Sequence, residues 1–306
     1  MKKQNIIMSL ASGYSYSQLK PFIDTLYSSG YTGKFILFVS NITKEALNSL
    51  ERRGITLIHY SDNYPYLPNN PEIPSNIVDQ SKEVLSPNSL RYILYYLYLK
   101  NAGSEQIDRI MFSDIRDVIF QKNPFDYNYK PGLYCFLEDA DTKIKDEKHN
   151  SFWIQHGFGP EELSKIGHNT ICCSGVTIGD YVSIIDYLEK MINHIIKLKN
   201  VGGLDQGIHN YLIYNNKLDS LNLINDDEGP ITTLSYFKNF NKVLFHNGSI
   251  INKSGQPVNI VHQYDRNLSL LRKYYFKGYI NQLINISKRN VLEIRLFARI
   301  WNSIRS

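Results

Sequence analysis

Apolar runs and polar breaks alternate along the first sixty residues in the order strand, helix, strand. Residues 5–11 are an apolar run that predicts a strand, and Ser12-Gly13-Tyr14-Ser15 follow it as a turn. Leu19, Phe22, Ile23 and Leu26 fall at helical spacing, with Gly30 as the stop. Residues 34–40 predict a second strand, residues 43–53 a helix ended by Gly54, and residues 55–60 a third strand. This β-α-β-α-β order implies a parallel sheet with helices on its faces. Residues 61–87 are rich in Pro and Asn and show little periodicity. A loop of that length in a compact domain is usually functional or mobile. Residues 89–100, SLRYILYYLYLK, predict a helix whose Tyr/Leu stripe faces the core. Arg91 near its start is placed either to reach a phosphate or carboxylate or to sit as a surface charge.

The pattern breaks most sharply in residues 107–125, IDRIMFSDIRDVIFQKNPF. Ile110-Met111-Phe112 reads as a buried strand that ends abruptly in Ser113, Asp114, Arg116 and Asp117. A second apolar run, Val118-Ile119-Phe120, leads to Asn123-Pro124-Phe125. Ligands of α/β proteins bind at the carboxyl ends of strands. Two carboxylates crowded there are costly unless a cation joins them. The residues alone allow a divalent metal site holding a phosphate, or an Arg116 ion pair at a strand end.

Further along, residues 132–137 predict a strand ending in Glu138-Asp139, and residues 141–162 read as polar and irregular, with Trp153, His156 and Gly157 among them. Residues 170–179, TICCSGVTIG, are a small-residue strand and turn, suited to close approach of a ligand or to tight strand packing. Residues 184–199 predict an amphipathic helix. Residues 202–207, GGLDQG, lead into a helix beginning near Ile208, with Asp205 open to a role as its cap. Residues 258–266 predict a short strand delivering His262, which on its own is structural or a ligand.

Composition narrows the classes. At 306 residues the chain can form one large α/β domain with an appendage, or two small domains. A net charge of +5 with ordinary hydrophobic content excludes a disordered chain and a strongly basic nucleic-acid binder. The 23 tyrosines fit either sugar or base stacking or a coding bias that also raises Asn, Ile and Lys. Cys135, Cys172 and Cys173 form neither a disulfide framework nor a zinc spacing, which fits a reducing compartment. The N-terminus, MKKQNIIMSLASG, imitates a signal peptide, but Asn5 and Ser9 interrupt its short apolar core and it reads as the first strand. No apolar run is long enough to span a bilayer. There is neither a GxGxxG after the first strand nor a P-loop lysine.

Taken in order, these parts resemble the GT-A-fold glycosyltransferases, which use nucleotide-sugar donors; the resemblance runs from Asn5 to about Arg266. It rests on the opening β-α-β-α-β unit, an acidic strand end before Asn123-Pro124-Phe125, Ser174-Gly175-Val176, the Asp205-Gln206 pair and the late His262. The family's Asp-x-Asp motif appears here with one residue inserted, as Asp114-Ile-Arg-Asp117, which leaves open which carboxylate binds the metal directly. The resemblance implies an α/β fold of GT-A type, Rossmann-like, with a mostly parallel central sheet flanked by helices. It implies a catalytic domain over residues 1–265, its nucleotide-binding half about 1–125 and its acceptor half about 126–265. It implies Mn²⁺ or Mg²⁺ held by Asp114, Asp117 and His262, with the mixed donor set suiting Mn²⁺ somewhat better. Donor binding would fall to Ala11, Ser12, Gly13, Tyr14, Arg91, Ser113, Arg116, Ser174 and Gly175. Catalysis would fall to Asp205, Gln206, Glu138 and Asp139, and acceptor binding to Trp153 and His156. The implied reaction moves a sugar from a nucleotide-sugar, a UDP-sugar first, to a glycan or lipid-linked glycan, as in bacterial surface polysaccharide synthesis. A nucleotidyltransferase on a related sheet would want a Gly-rich first loop with Lys or Arg, which Ala11-Ser12-Gly13-Tyr14 lacks. A non-catalytic sugar-binding protein would have no reason to keep all these ligands.

The C-terminal extension, residues 266–306, is basic, and residues 290–304 place Val291, Ile294, Phe297, Ala298, Trp301 and Ile304 along one helical face. A basic amphipathic helix of this kind fits either peripheral docking on the cytoplasmic membrane face or packing on the catalytic domain. The expected location is cytoplasmic.

Overall fold

The computed structural model describes residues 3–60, 85–199, 201–234, 243–267 and 270. Most of the loop at 61–87 and nearly all of the basic tail therefore lie outside the described residues.

The opening unit forms as its periodicity predicts. Strands β1 (Gln4–Ser12), β2 (Lys34–Ser40) and β3 (Thr56–His59) are joined by helices α1 (Tyr16–Ser28) and α2 (Lys44–Glu51). The Thr43 hydroxyl accepts from the Ala46 amide at the start of α2, the capping role that suits Thr. Helix α3 (Pro87–Ala102) carries Ser86 as its cap and Pro87 in its first turn. Strand β4 (Ile107–Ser113) follows, then β5 (Val118–Phe120) and β6 (Leu133–Leu137).

Residues 141–162 are where the structure departs from the irregular segment the sequence suggests. A 3₁₀ turn (Ile144–Asp146) is followed by α4 (Lys148–Phe158) and α5 (Pro160–Ile166). The first turn of α4 is held by Glu147, whose carboxylate accepts from the His149 and Asn150 amides. Its apolar contacts are few, with Ile154 fully buried beside Ile144, Ile166 and Ile171. Strand β7 (Cys172–Gly179), α6 (Tyr181–Ile195) and α7 (Leu204–Tyr214) come next. Helix α7 starts four residues earlier than the sequence suggests, behind Gly203. Strands β8 (Leu221–Ile224), β9 (Ile231–Thr233), β10 (Leu244–His246), β11 (Ser249–Ile251) and β12 (Ile260–His262) complete the described elements.

Seven strands form one sheet in the order β3-β2-β1-β4-β7-β6-β8. All pairings are parallel except those of β7, which runs antiparallel to both β4 and β6. The chain is thus an α/β protein with a mostly parallel central sheet flanked by helices. Successive side chains leave a strand on opposite faces. Ile6, Met8, Ile36, Phe38, Ile110 and Phe112 accordingly join one apolar layer, with Leu90, Leu99, Leu188 and Ile208 of α3, α6 and α7. Ile7, Phe35, Leu37 and Met111 join the other, against Leu19, Phe22 and Leu26 of α1. Tyr92, Tyr95, Tyr187 and Tyr264 are among the largest fully buried side chains, so these tyrosines serve the core. All three cysteines are free and buried.

A second sheet, β5-β12-β9, packs below the end of β4, with β12 antiparallel to β5 and parallel to β9. Strand β12 places His262 opposite Val118, one residue beyond Asp117. The reversed β7 begins where β4 ends, so Ser174 and Gly175 lie beside Asp114, whose amide donates to the Gly175 carbonyl at 2.7 Å. Among the described residues, no helix is long and apolar enough to cross a membrane.

Candidate metal centre

The carboxyl end of β4 gathers the predicted ligands. The His262 imidazole, 1 % exposed, sits with Nε2 at 3.5 Å from Asp114 Oδ2 and 3.8 Å from Asp117 Oδ1. Asp114, Asp117 and His262 offer ligand atoms within 4.8 Å of one another, the one such group of His, Cys, Asp or Glu among the described residues. The inserted residue does not separate the carboxylates. Ile115 turns into the apolar layer, and Arg116 is drawn aside to Asp265 at 2.7 Å and Asp117 at 3.1 Å. Both aspartates therefore face the imidazole.

Three features suit the site to a metal ion. His262 Nε2 is buried without a hydrogen-bond partner, so a donor lone pair is available to an ion. Gly175 leaves the space: a Cβ there would stand 2.3 Å from His262 Cε1 and 2.8 Å from Asp114 Oδ2. The charge distribution asks for a cation. Burial opposes ionisation of Asp114, but Arg91 and His262 outweigh it and hold its carboxyl well below the usual range. Burial pushes Asp117 up, with Asp265 and Asp114 adding to the rise. Burial would lower the His262 imidazole, yet Cys173, then Asp114 and Asp117, raise it well above its ordinary value. An ionised Asp114 beside a second, buried carboxyl and an imidazole suits a divalent ion of mixed oxygen and nitrogen ligation.

Arg91 joins this centre to α7. Its guanidinium donates to Asp114 and, at 3.0 Å, to Asp205 Oδ2, and it reaches the Ser174 carbonyl at 3.5 Å. Asp205 is therefore not a helix cap. Gly203 holds the N-cap position of α7 at φ +87°, and the Asp205 side chain turns inward to Arg91. A Cβ on Gly203 would strike the Trp153 ring at 2.2 Å, and the Trp153 indole donates to the Gly202 carbonyl at 2.8 Å. Gln206 fixes the strand rather than facing the cleft alone. It accepts from the Ser174 amide at 2.8 Å and donates to the Cys172 carbonyl and to Asn150. One turn on, Asn210 exchanges two hydrogen bonds with the Cys172 backbone.

This arrangement separates the two roles of Asp205. Asn caps a helix as well as Asp does, so Asp205→Asn would leave a cap intact. Because Asp205 instead neutralises buried Arg91, the expected result is a loss of about 1–3 kcal/mol in thermal unfolding. That loss disappears when Arg91 is already replaced by Met, which a double-mutant cycle measures.

Three openings follow one another, the second sharing residues with each of the others. The first, about 360 Å³, is lined by Ser12, Tyr14, Arg91, Ser113, Asp114, Arg116 and Asp117, together with Pro87 and Asn88 of the first turn of α3. The second, about 310 Å³, shares Asn88, Arg91 and Asp114 and adds Glu138, Trp153, Ser174, Gly175, Asp205 and Gln206. The third, about 670 Å³, shares Glu138 and includes Asp139. Of the other predicted donor residues, Ala11 is fully buried in the apolar layer and Gly13 turns at φ +71° behind β1. His156 lies outside the second opening, stacked on Phe152 and bonded to the Lys199 carbonyl.

Sequence reasoning missed Asp265, Asn150, Asn210 and Gln263. Gln263 follows His262 directly, lines the second opening and holds a left-handed backbone at φ +55°, a conformation that sites tend to store in non-glycine residues. The i, i+4 spacing of Gln206 and Asn210 was the one available signal, since both amides point from α7 to the same strand. No protein-family model matches the chain, and no curated protein matches it in sequence.

Proposed function

We propose that the chain is a metal-dependent glycosyltransferase that moves a sugar from a nucleotide-sugar, a UDP-sugar first, to a glycan or lipid-linked glycan acceptor. The observation that carries this reading is the convergence of Asp114, Asp117 and His262 at the end of β4, between two adjoining clefts. When bound, a divalent ion there supplies electrostatic stabilisation of the diphosphate that departs with the donor's nucleotide. Asp114, Asp117 and His262 would hold the ion, Mn²⁺ or Mg²⁺.

The remaining roles follow from the openings. The first opening takes the nucleotide, with Tyr14 and Ser12 on its floor. The N-terminus of α3 faces it through Pro87 and Asn88, and a helix start favours phosphate oxygens. Arg91 stands where both openings meet and neutralises the diphosphate while keeping Asp205 in place. The second opening takes the donor sugar beside Ser174, Gly175 and Asp205. Glu138 also lines it, and burial pushes its carboxyl up to about 8, the range in which a carboxylate accepts a proton from an attacking hydroxyl. The sugar's reacting carbon would then lie between Arg91 and Glu138, with β7 as the wall.

A screen of nucleotide-sugars by thermal unfolding, with and without Mn²⁺, tests the reading. The expected result is a rise in melting temperature that needs both ion and nucleotide, and slow donor hydrolysis that EDTA stops. Stabilisation by nucleotide-sugar that is indifferent to EDTA would remove the metal-dependent mechanism.

A further inference from the structure

The largest of the three openings has its own chemistry. It is enclosed by the end of β6, the turn of residues 225–228 between β8 and β9, and the β10–β11 hairpin. One wall is apolar, made by Leu137, Val243, Leu244, Ile250 and Ile251. The other carries six acidic side chains against a single lysine, Lys253. That lysine is already committed to Asp227. Glu138, Asp139 and Asp226 on the acidic wall are buried. Glu138, 3 % exposed, leaves Oε2 without a hydrogen-bond partner among the described residues, and the same residue lines the sugar cleft next door. A buried acceptor in that state calls for a donor from outside the chain.

Three kinds of occupant would satisfy it. A metal ion needs converging ligand atoms, and the carboxylates of this chamber form no such group. A plain polyol would supply hydroxyl donors but leave the more exposed carboxylates, Asp141, Asp227 and Glu228, with Lys253 as the one cation of the lining. An amino sugar matches both walls: its ring presents apolar C–H faces, and its ammonium group supplies a cation with three donors. The volume, about 670 Å³, lies within the ordinary range for a small-ligand site.

We propose that this chamber is the acceptor subsite and that the acceptor is a glycan bearing a free, protonated amine. The proposal rests on the glycosyltransferase reading for the word acceptor, and on the chamber alone for the amine. The acceptor enters past the β10–β11 hairpin, sets its ammonium group against Asp227 and Glu228 with the buried Asp226 as a further acceptor, and presents a hydroxyl to the sugar cleft past Glu138.

The test measures binding of methyl glucosaminide and its N-acetyl counterpart to the full chain by ligand-observed NMR. The free amine is expected to bind about tenfold or more tightly than the acetylated sugar, as hydrogen bonds to ionised groups imply. Added salt should weaken the amine and leave the acetylated sugar unchanged. Asp226→Asn keeps an oxygen for the Thr233 amide that Asp226 now accepts from at 2.9 Å, so it should fold. Glu228→Gln alters an exposed side chain and gives a second variant with no folding load. Both should reduce the preference for the amine. Equal binding of the two sugars, tighter binding of the acetylated one, or no binding of either overturns the proposal. Mn²⁺-dependent nucleotide binding, measured in parallel, reports on the transferase reading separately. Amine preference without nucleotide binding would leave the chamber as an amino-sugar site and remove the transferase around it. Nucleotide binding without amine preference would do the reverse.

Discussion

Asp117→Ala is expected to abolish Mn²⁺-dependent nucleotide binding and turnover while the protein stays folded. Asp117 is one of three converging side chains proposed to hold the ion, and its carboxylate lies 3.8 Å from the buried His262 nitrogen. Outer partners of metal ligands already cost about 10–100-fold in affinity or activity when removed. Loss of a ligand from a set of three should exceed that. The fold should survive because Arg116, the other partner of Asp117, keeps its 2.7 Å bond to Asp265. Removing Asp117 also takes away a buried acid that its acidic neighbours and its burial disfavour. The measurement is a melting curve with UDP and Mn²⁺: the wild type should gain stability on adding both, and the variant should gain none. A variant that still responds to Mn²⁺ would leave Asp114 and His262 as the only ligands.

Arg91→Met should be the most destabilising single change at the site. Among the described residues, its side chain carries the only cation that the structure places against Asp205, and it also holds Asp114. Breaking a buried pair by deleting one partner leaves an uncompensated charge, which costs about 3–5 kcal/mol. For a chain of this size that corresponds to a fall in melting temperature on the order of 10 °C. The pH dependence has a definite sign. Arg91 and His262 hold Asp114 below its unfolded value, so this group stabilises the fold above the unfolded carboxylate range. That contribution fades as pH falls toward the depressed value. The variant lacks most of it. Its deficit against wild type should therefore be largest near neutrality and shrink below about pH 4, where unpaired carboxylates take up protons. A deficit that is constant from neutral to acid pH would mean that Arg91 acts by packing alone.

The opening strands and helices were legible because their signals are local: apolar runs of strand length, apolar residues at helical spacing, and glycines behind helices. The helix at Lys148–Phe158 was hidden by its own composition. Its sequence KHNSFWIQHGF buries only Asn150 and Ile154, and its first turn is held by a glutamate rather than by a residue that advertises a cap. The direction of β7 was also out of reach, since a run buried on both faces reads the same for parallel and antiparallel neighbours. Asp114, Asp117 and His262 were nominated together through the resemblance, since the residues alone left an ion pair and a structural His open, and the structure brings them together. The Arg91–Asp205 pair could not be nominated as a pair, because nothing local links a residue on α3 to one on α7. The acidic chamber was invisible for the same reason, being assembled from three separated segments.

Strand β12 gives the site a place in the life of the chain. A polypeptide emerges N-terminus first, so Asp114 and Asp117 are made and exposed long before His262 exists. Until β12 docks, β5 lacks the only strand it pairs with among the described residues, and the carboxylates face solvent without their imidazole. Long-range strand pairing of this kind is slow, because the intervening chain must first be closed into a loop. An ion that needs all three ligands cannot grip the nascent chain. On the metal-dependent reading it would bind only after the last strand has closed the second sheet, and from then on its binding energy would add to that of the finished fold. Metal uptake during synthesis would thus mark the moment of completion, and a ribosome-stalled chain ending before Ile260 should take up none.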